Sequence, residues 1–259
     1  MISRILLKIG GRAFQGQDGF RELAQALKIH PSTEVMIVHG GGKEISKALK
    51  DARRPSFFID GIRVTQAEDI EIVEAVLSGT INPKIASRLE ASGIRCRCMA
   101  GKTDGLFLVK PLKRNNRDFG FVGEIYRVNA TAVLDVLKNG KIPVISPISP
   151  DENGQSYNVN ADSAASALAV ATRCTDLVYL TDVPGVCVGE ETKRCLTVEE
   201  ATRLIADGTI EGGMVAKIKS AFEAVGGNVA RVHITRWEGP ETFDRLLGGS
   251  SDSGTIIEK

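Results

Sequence analysis

The sequence predicts an α/β protein built on an open, mostly parallel sheet with helices on both faces, and three observations carry that prediction. Apolar, β-branched runs alternate with helical patterns through almost the whole chain. Glycine clusters close the first two of these runs, at Gly10-Gly11 and at Gly40-Gly41-Gly42. With 259 residues the chain can bury the core such a sheet needs, as one large domain or as two closely packed lobes.

Strands are predicted near residues 5–8, 34–39, 94–99, 142–145, 177–181 and 229–235, with helices between them. Two helix starts read as capping boxes: Thr65-Gln66-Ala67-Glu68 ahead of Ile70, Ile72 and Val73, and Thr197-Val198-Glu199-Glu200 ahead of Ala201 and Leu204. In each, the threonine hydroxyl and the glutamate satisfy backbone N–H groups that a helix start leaves unpaired. Hairpin-like pieces interrupt the alternation at 56–63 and 106–128, the second around the polar turn Lys113-Arg114-Asn115-Asn116. A glycine- and serine-rich stretch at 248–254 reads as flexible, ahead of a short strand at 255–257. The lobe boundary is placed after the helix ending near Thr172, giving lobes of 1–173 and 174–259.

A net charge of +1 provides no basic face for nucleic acid or for an anionic membrane, which points to a small-molecule partner. The five cysteines, Cys96, Cys98, Cys174, Cys187 and Cys195, lack paired C-x-x-C spacing and read as reduced core thiols. With only His30, His39 and His233 to join them, no metal site is expected. Lys8 interrupts the first apolar run too early for a signal peptide, and no run reaches membrane-spanning length. The reading is a soluble, cytoplasmic protein.

The glycine clusters carry the chemistry. Glycine at a strand end lets backbone N–H groups approach a ligand unobstructed, and Lys8 beside such amides makes a pocket for phosphate oxygens. One cluster alone reads equally well as a tight turn; two at strand-to-helix junctions, one with a lysine, favour phosphate. Neither standard nucleotide motif is present. Gly42-Lys43-Glu44-Ile45 lacks the last glycine of G-x-G-x-x-G, and Gly101-Lys102-Thr103 has Cys96 where a P-loop requires its first glycine.

The second half of the site is read from Asn158-Val159-Asn160-Ala161-Asp162, ahead of a helix-forming run, and from Gly212-Gly213-Met214-Val215-Ala216-Lys217. Alternation points Asn158 and Asn160 the same way. An aspartate at a helix start is ordinarily a cap. A buried Asp162 between Lys8 and Lys217 would instead hold two ammonium groups in place. Thr181-Asp182-Val183-Pro184-Gly185 ends another strand, and in open α/β sheets such carboxyl ends line the ligand crevice.

Together with Gly61-Ile62-Arg63-Val64-Thr65, these segments resemble the amino-acid kinase family, from about residue 5 to 257, and are most similar to its members that act on N-acetyl-L-glutamate. The resemblance implies a three-layer α/β/α sandwich with an open, mostly parallel central sheet. Residues 1–173 would hold the acylated amino acid and the dimer contact, and 174–259 would hold ATP. Lys8 and Lys217 would bind the phosphoryl group in flight, Asp162 would orient both, and the Gly11, Gly41 and Gly42 amides would donate to phosphoryl or substrate oxygens. Arg63, Asn158 and Asn160 would hold the acceptor. The nucleotide would lie along Asp182, Val183, Pro184, Gly185, Val186 and Cys187, and against Thr209, Ile210, Glu211 and Met214.

No general base is evident in this set, which is coherent if the acceptor is a carboxylate, since a side-chain carboxyl with a pKa near ~4.3 is already ionised. Magnesium would arrive on the nucleotide phosphates rather than in a protein cage. Three segments depart from the family pattern: Ala100-Gly101-Lys102-Thr103-Asp104-Gly105 for Ser-Gly-x-Asp-Gly, Asn82-Pro83-Lys84 for Asn-Lys, and Arg236-Trp237-Glu238-Gly239 for Asp-Gly-Arg. The few residues before Lys8 leave no room for the N-terminal helix of arginine-inhibited hexameric members, so a homodimer insensitive to arginine is expected. The helix at 67–77, with Ile70, Val73 and Leu77 at helical spacing, is its candidate surface, a pattern that would equally serve a core-facing helix.

Overall fold

The structure, a computed structural model, describes residues 3–10, 14, 18–114, 117–248 and 254–259. The chain runs through β1 (Arg4–Ile9), α1 (Asp18–Ile29), β2 (Glu34–His39), α2 (Gly42–Asp51) and a hairpin of β3 (Phe57–Ile59) and β4 (Ile62–Val64). Helix α3 (Ile70–Glu74) passes through a π-helical stretch (Ala75–Ile81) into α4 (Asn82–Glu90). Then come β5 (Cys96–Ala100), the ribbon of β6 (Phe107–Arg114) and β7 (Arg117–Val128), α5 (Thr131–Lys138), β8 (Ile142–Ser146), β9 (Ile148–Pro150), β10 (Ser156–Val159) and α6 (Ala161–Ala171). The remainder comprises β11 (Asp176–Thr181), the hairpin β12 (Cys187–Val188) and β13 (Glu191–Thr192), β14 (Cys195–Thr197), α7 (Val198–Ala206), α8 (Gly213–Gly226), β15 (Arg231–Arg236), α9 (Glu241–Leu247) and β16 (Thr255–Glu258).

Eight strands form the central sheet in the order β14-β16-β15-β11-β1-β2-β8-β5, parallel at every pairing except β15 with β16. Because both faces are covered, the inner strands are predominantly apolar and alternate residues feed two cores. Leu6, Met36, Val38, Leu177 and Tyr179 pack beneath α5, α6, α7 and α8, whereas Ile5, Leu7, Ile37, Val178 and Leu180 pack against α1, α4 and α9. Alternation along β1 therefore sends Lys8 to the face of Leu6, toward α6 and α8. Strands from before residue 173 lie on one side of the β1–β11 seam and later strands on the other. Both the ladder and the apolar core run through that seam, since Leu6 and Met36 share a cluster with Val232, Ile234 and Ile257.

The box at Thr197 forms: its hydroxyl accepts from the Glu200 amide at 3.1 Å, and the Glu200 carboxylate accepts from the Thr197 amide at 3.2 Å. The one read at Thr65 does not. Thr65 is extended, exchanging backbone hydrogen bonds with Phe119 and Phe121, and its hydroxyl accepts from Asn158 at 3.1 Å. The helix starts only after Asp69, because tertiary pairing outcompetes the local capping signal. The Ile70, Val73 and Leu77 stripe is buried within the chain, the latter two against Ile45 and Leu49 of α2, which removes it as a dimer surface. Of the cysteines only Cys96 and Cys174 are buried; Cys98, Cys187 and Cys195 are exposed free thiols, because their strands are short or turn that side to solvent. The 56–63 hairpin turns at Asp60-Gly61, both with positive φ, as a two-residue connection demands. The tip of the 106–128 ribbon at 115–116, and most of the 248–254 stretch, lie outside the described residues.

Gly120, at φ +64°, bridges to Thr65, and a Cβ there would overlap the Thr65 carbonyl oxygen. Gly120→Ala is expected to lower stability by roughly 1–3 kcal/mol, read by thermal unfolding, because neither the left-handed backbone nor the carbonyl can yield.

Candidate active site

Three charged side chains from three elements converge. Lys8 stands near the carboxyl end of β1, Asp162 is the second residue of α6, and Lys217 lies one turn into α8. The Lys8 Nζ is 2.7 Å from Asp162 Oδ1, and the Lys217 Nζ is 3.0 and 3.1 Å from the two carboxylate oxygens. All three residues are more than nine-tenths buried. The helix cap is Asn160, whose side chain accepts from the Asp162 and Ser163 amides at 2.8 and 3.1 Å. That frees the Asp162 carboxylate for the lysines.

The electrostatics follow from this arrangement. Burial by itself raises the pKa of Asp162, but Lys217 and Lys8 overcome it and hold the group at about 2. Burial, opposed by Asp162 and assisted by Lys8, brings Lys217 down to about 8. The Lys217 ammonium also sits 5.1 Å from the centre of the Tyr179 ring. With both lysines protonated the cluster carries one excess positive charge in a buried setting, which favours an anion beside it.

A cavity of about 160 Å³ opens next to the cluster, lined on its polar side by Lys8, Gly42, Arg63, Asn158, Asn160 and Asp162. Phe58, Leu77 and Val122 give it an apolar wall. Arg63, on β4, is buried, and its guanidinium is held from several directions. Its Nη2 donates to the Gly42 carbonyl and to Ser46 Oγ, each at 2.8 Å, its Nη1 donates to Ser56 Oγ, and the group lies 4.6 Å from the Phe58 ring centre. Both Nη2 hydrogens thus serve the protein, leaving Nε and one Nη1 hydrogen rather than a ready two-pronged fork. Burial lowers the pKa of this guanidinium, and Asp69 partly restores it.

The structure brings Lys8, Gly41, Gly42, Arg63, Asn158, Asn160 and Asp162 to one cavity, with Lys217 joined to it through Asp162. Asn160 contributes to the lining although its side chain is engaged as a cap. Gly11 lies outside the described residues. The amide of its neighbour Gly10 is taken by the Leu180 carbonyl at 3.1 Å.

The segment read for the nucleotide lies elsewhere, beyond β11 and ahead of α8. Asp182, Val183 and Pro184 leave the sheet, Gly185 packs on Thr255, and the Val186 amide donates to Thr255 Oγ1 at 2.8 Å. The Val186 and Ile210 side chains belong to the core, Met214 packs against it, and Cys187, Thr209 and Glu211 are exposed. At Val186 and Ile210 the side chains are turned into the core, which leaves the backbone as the part of these residues that can face a ligand.

Sequence reasoning missed the supports: Ser46 and Ser56 under Arg63, Thr65 under Asn158, and the pairing of His39 with Asn82. Ordinary serine, threonine and asparagine positions carry no periodic or spacing signal for such a role.

The model of the amino acid kinase family matches residues 3–236, and the chain belongs to that family. It is 40% identical over 227 residues to the acetylglutamate kinase of Campylobacter curvus, covering 87% of this chain and 80% of that protein. Against the acetylglutamate kinase of Clostridioides difficile identity is 36% over 262 residues, 98% of this chain and 91% of the relative. The crystal structure of smu.665 from Streptococcus mutans superposes with a TM-score of 0.86 at 27% identity, covering 100% of this chain and 99% of that one.

Asp162→Asn leaves two buried ammonium groups without a counter-charge and is expected to cost roughly 3–5 kcal/mol in thermal unfolding at neutral pH. Lys217 is protonated below about 8 and neutral above it. The kcat/KM of the free enzyme is therefore expected to fall with unit slope above pH 8, and Lys217→Arg to abolish that limb whatever its activity, because arginine stays charged.

Proposed function

We propose that the chain transfers the γ-phosphoryl group of ATP to the side-chain carboxylate of N-acetyl-L-glutamate, giving an acyl phosphate in the arginine biosynthetic route, in the cytoplasm. The observation that carries this reading is a buried, positively charged cluster opening on a cavity without a general base. Among the described lining residues Asp162 is the only acid, and both its oxygens are occupied by ammonium groups. An acceptor there has to arrive already ionised, as a carboxylate does and a hydroxyl does not. Arg63 and Asn158 supply donors for the α-carboxylate and amide of the acceptor, and Phe58, Leu77 and Val122 suit its methylenes and acetyl group.

In the proposed reaction a side-chain carboxylate oxygen forms a bond to the γ-phosphorus as the bond from that phosphorus to the bridging oxygen of the β-phosphate breaks, releasing ADP. Lys8 and Lys217 neutralise charge on the group in flight, and the Gly41 and Gly42 amides donate to its oxygens or to the attacking carboxylate. Magnesium bound to the nucleotide phosphates supplies further charge neutralisation. Residues 1–173 would hold the acceptor and 174–259 the nucleotide, along Asp182 to Cys187 and beside Thr209, Glu211 and Met214. The proposed assembly is a homodimer, formed on a surface other than the buried Ile70, Val73 and Leu77 stripe.

Hydroxylamine trapping decides the acceptor. With ATP and magnesium, N-acetyl-L-glutamate is expected to yield hydroxamate in preference to glutamate, aspartate and carbamate; good yield only from another acid would overturn the assignment.

A further inference from the structure

The Gly40–Gly41 peptide is the partition between two cavities. On one side is the acceptor cavity. On the other is a second space of about 160 Å³, lined by His39, Phe20, Ile81, Lys84 and Arg88, with Gly40 contributing to both. A glycine backbone between two openings has no side chain to hold it, and its orientation needs another source. The Gly40 amide is already committed, donating to the Ile9 carbonyl at 3.0 Å as the last rung of the β1–β2 ladder. Gly41 is the N-cap of α2, so its own amide has no acceptor within the helix.

We propose that His39 and Asn82 are positioning residues that lock this peptide and aim the Gly41 amide at the reacting oxygens. The proposal rests on the assignment of the acceptor cavity made above. The His39 Nδ1 lies 3.0 Å from the Gly40 carbonyl oxygen. A carbonyl can only accept, so Nδ1 carries the proton. The described peptides are all trans, so the Gly41 N–H points opposite to that carbonyl and away from the imidazole, and Gly41 lines the acceptor cavity and not the second one.

Asn82 enforces the tautomer. Its Nδ2 lies 3.1 Å from His39 Nε2, 3.1 Å from the Met99 carbonyl and 2.9 Å from the Val144 carbonyl. A reversed amide would press Oδ1 against two carbonyl oxygens, so the orientation is fixed and Nε2 faces a pure donor. Nε2 therefore stays unprotonated. Two hydrogens serve three acceptors, and the buried Asn82 Oδ1 is left without a partner, a cost the fold carries at this position. Asn82 reaches this place at the exit of the π-helical stretch, whose Leu77 and Ile81 fill the space a Cβ on Gly41 would need.

The charged surroundings agree. Burial, opposed by the bond to Gly40 and assisted by Lys8, brings the His39 pKa to about 4, so the ring is neutral under working conditions. Glu44 from α2 and Lys84 and Arg88 from α4 line the adjoining cavity without bonding the ring.

Nitrogen NMR of the ¹⁵N-histidine-labelled protein, with His39 assigned by its absence in His39→Asn, reads the lock directly. The expected spectrum shows protonated Nδ1 and bare Nε2, unchanged from about pH 5 to 8; an Nε2–H tautomer, or titration near the ordinary value of about 6.5, overturns the proposal. Asn82→Leu is expected to release the ring into a mixture of tautomers. In kinetics, His39→Leu is expected to lower kcat on the order of tenfold or more with both KM values within about threefold. His39→Asn, whose Nδ2 falls where the imidazole Nδ1 was, should recover a large part of that loss. Equal losses in the two variants, or none in His39→Leu, would also overturn it, and if His39→Leu does not fold the spectrum of the native protein decides alone. A protein that forms no hydroxamate from N-acetyl-L-glutamate yet shows the expected spectrum would sink the functional reading and leave the lock standing.

Discussion

One carboxylate between two ammonium groups is the constraint on which the rest of the architecture turns. Taking Lys8, Asp162 and Lys217 out of water costs several kcal/mol per ion, and the attraction repays it only if the geometry is held closely. The fold supplies that geometry from three directions. Central β1 brings Lys8, the α6 cap frees Asp162, and α8 approaches over Tyr179. Because one negative charge cannot balance two positive ones, the cluster is complete only beside an anion. Its need for a neighbouring anion therefore follows from the same charge imbalance that makes the buried cluster costly.

Glycine supplies the complementary requirement. An anion among buried cations still needs donors, and amides are the only donors that can come close without occupying the space themselves. At Gly41 the absence of a side chain is demanded by Leu77 and Ile81, which fill the space a Cβ would need. Such economy leaves the loop conformationally free. The polar contacts around His39, Asn82 and the carbonyls of β5 and β8 restrict it.

How much of this was legible in the sequence depends on the range of the interaction that decides each feature. The sheet was legible because its inner strands are apolar at most positions and glycine marks where the first two stop. Lys8, Asp162 and Lys217 were legible because each stands in a short segment whose composition is odd for its element: a lysine in a buried strand, an acid behind Asn-Val-Asn, a lysine behind paired glycines. Thr65 misled because a capping box is a four-residue pattern, while the partners that claim Thr65, Phe119, Phe121 and Asn158, lie fifty-four and more positions away. The stripe of Ile70, Val73 and Leu77 misled differently. Helical periodicity says that a face is buried, not by what, and here α2 of the same chain covers Val73 and Leu77. Ser46 and Ser56 carried no signal at all, and Asn82 stood out only as part of a family pattern, since the roles of all three exist only once tertiary contacts place them.

The order of strands explains why the two halves of the site come from opposite ends of the chain. From β1 the connection passes to β2 on one side, whereas β11 joins β1 on the other, so the winding reverses at the β1–β11 pair. In open α/β sheets the crevice outside the carboxyl ends at such a reversal is where ligands lie, because the adjoining loops diverge there instead of packing on one another. Lys8 stands at that reversal, with the glycines after β2 on one flank and the segment after β11 on the other. The β1–β11 ladder and the apolar core are continuous across it, so neither flank can swing away without breaking buried contacts. The β3–β4 hairpin lies at the periphery, with Phe57 and Phe58 56% exposed while Arg63 on the same hairpin is buried at the cavity. The seam thus holds Lys8 at fixed spacing from the loops on either flank, while the hairpin is anchored separately, through the small cluster of Ile62, Leu112, Phe119 and Val122.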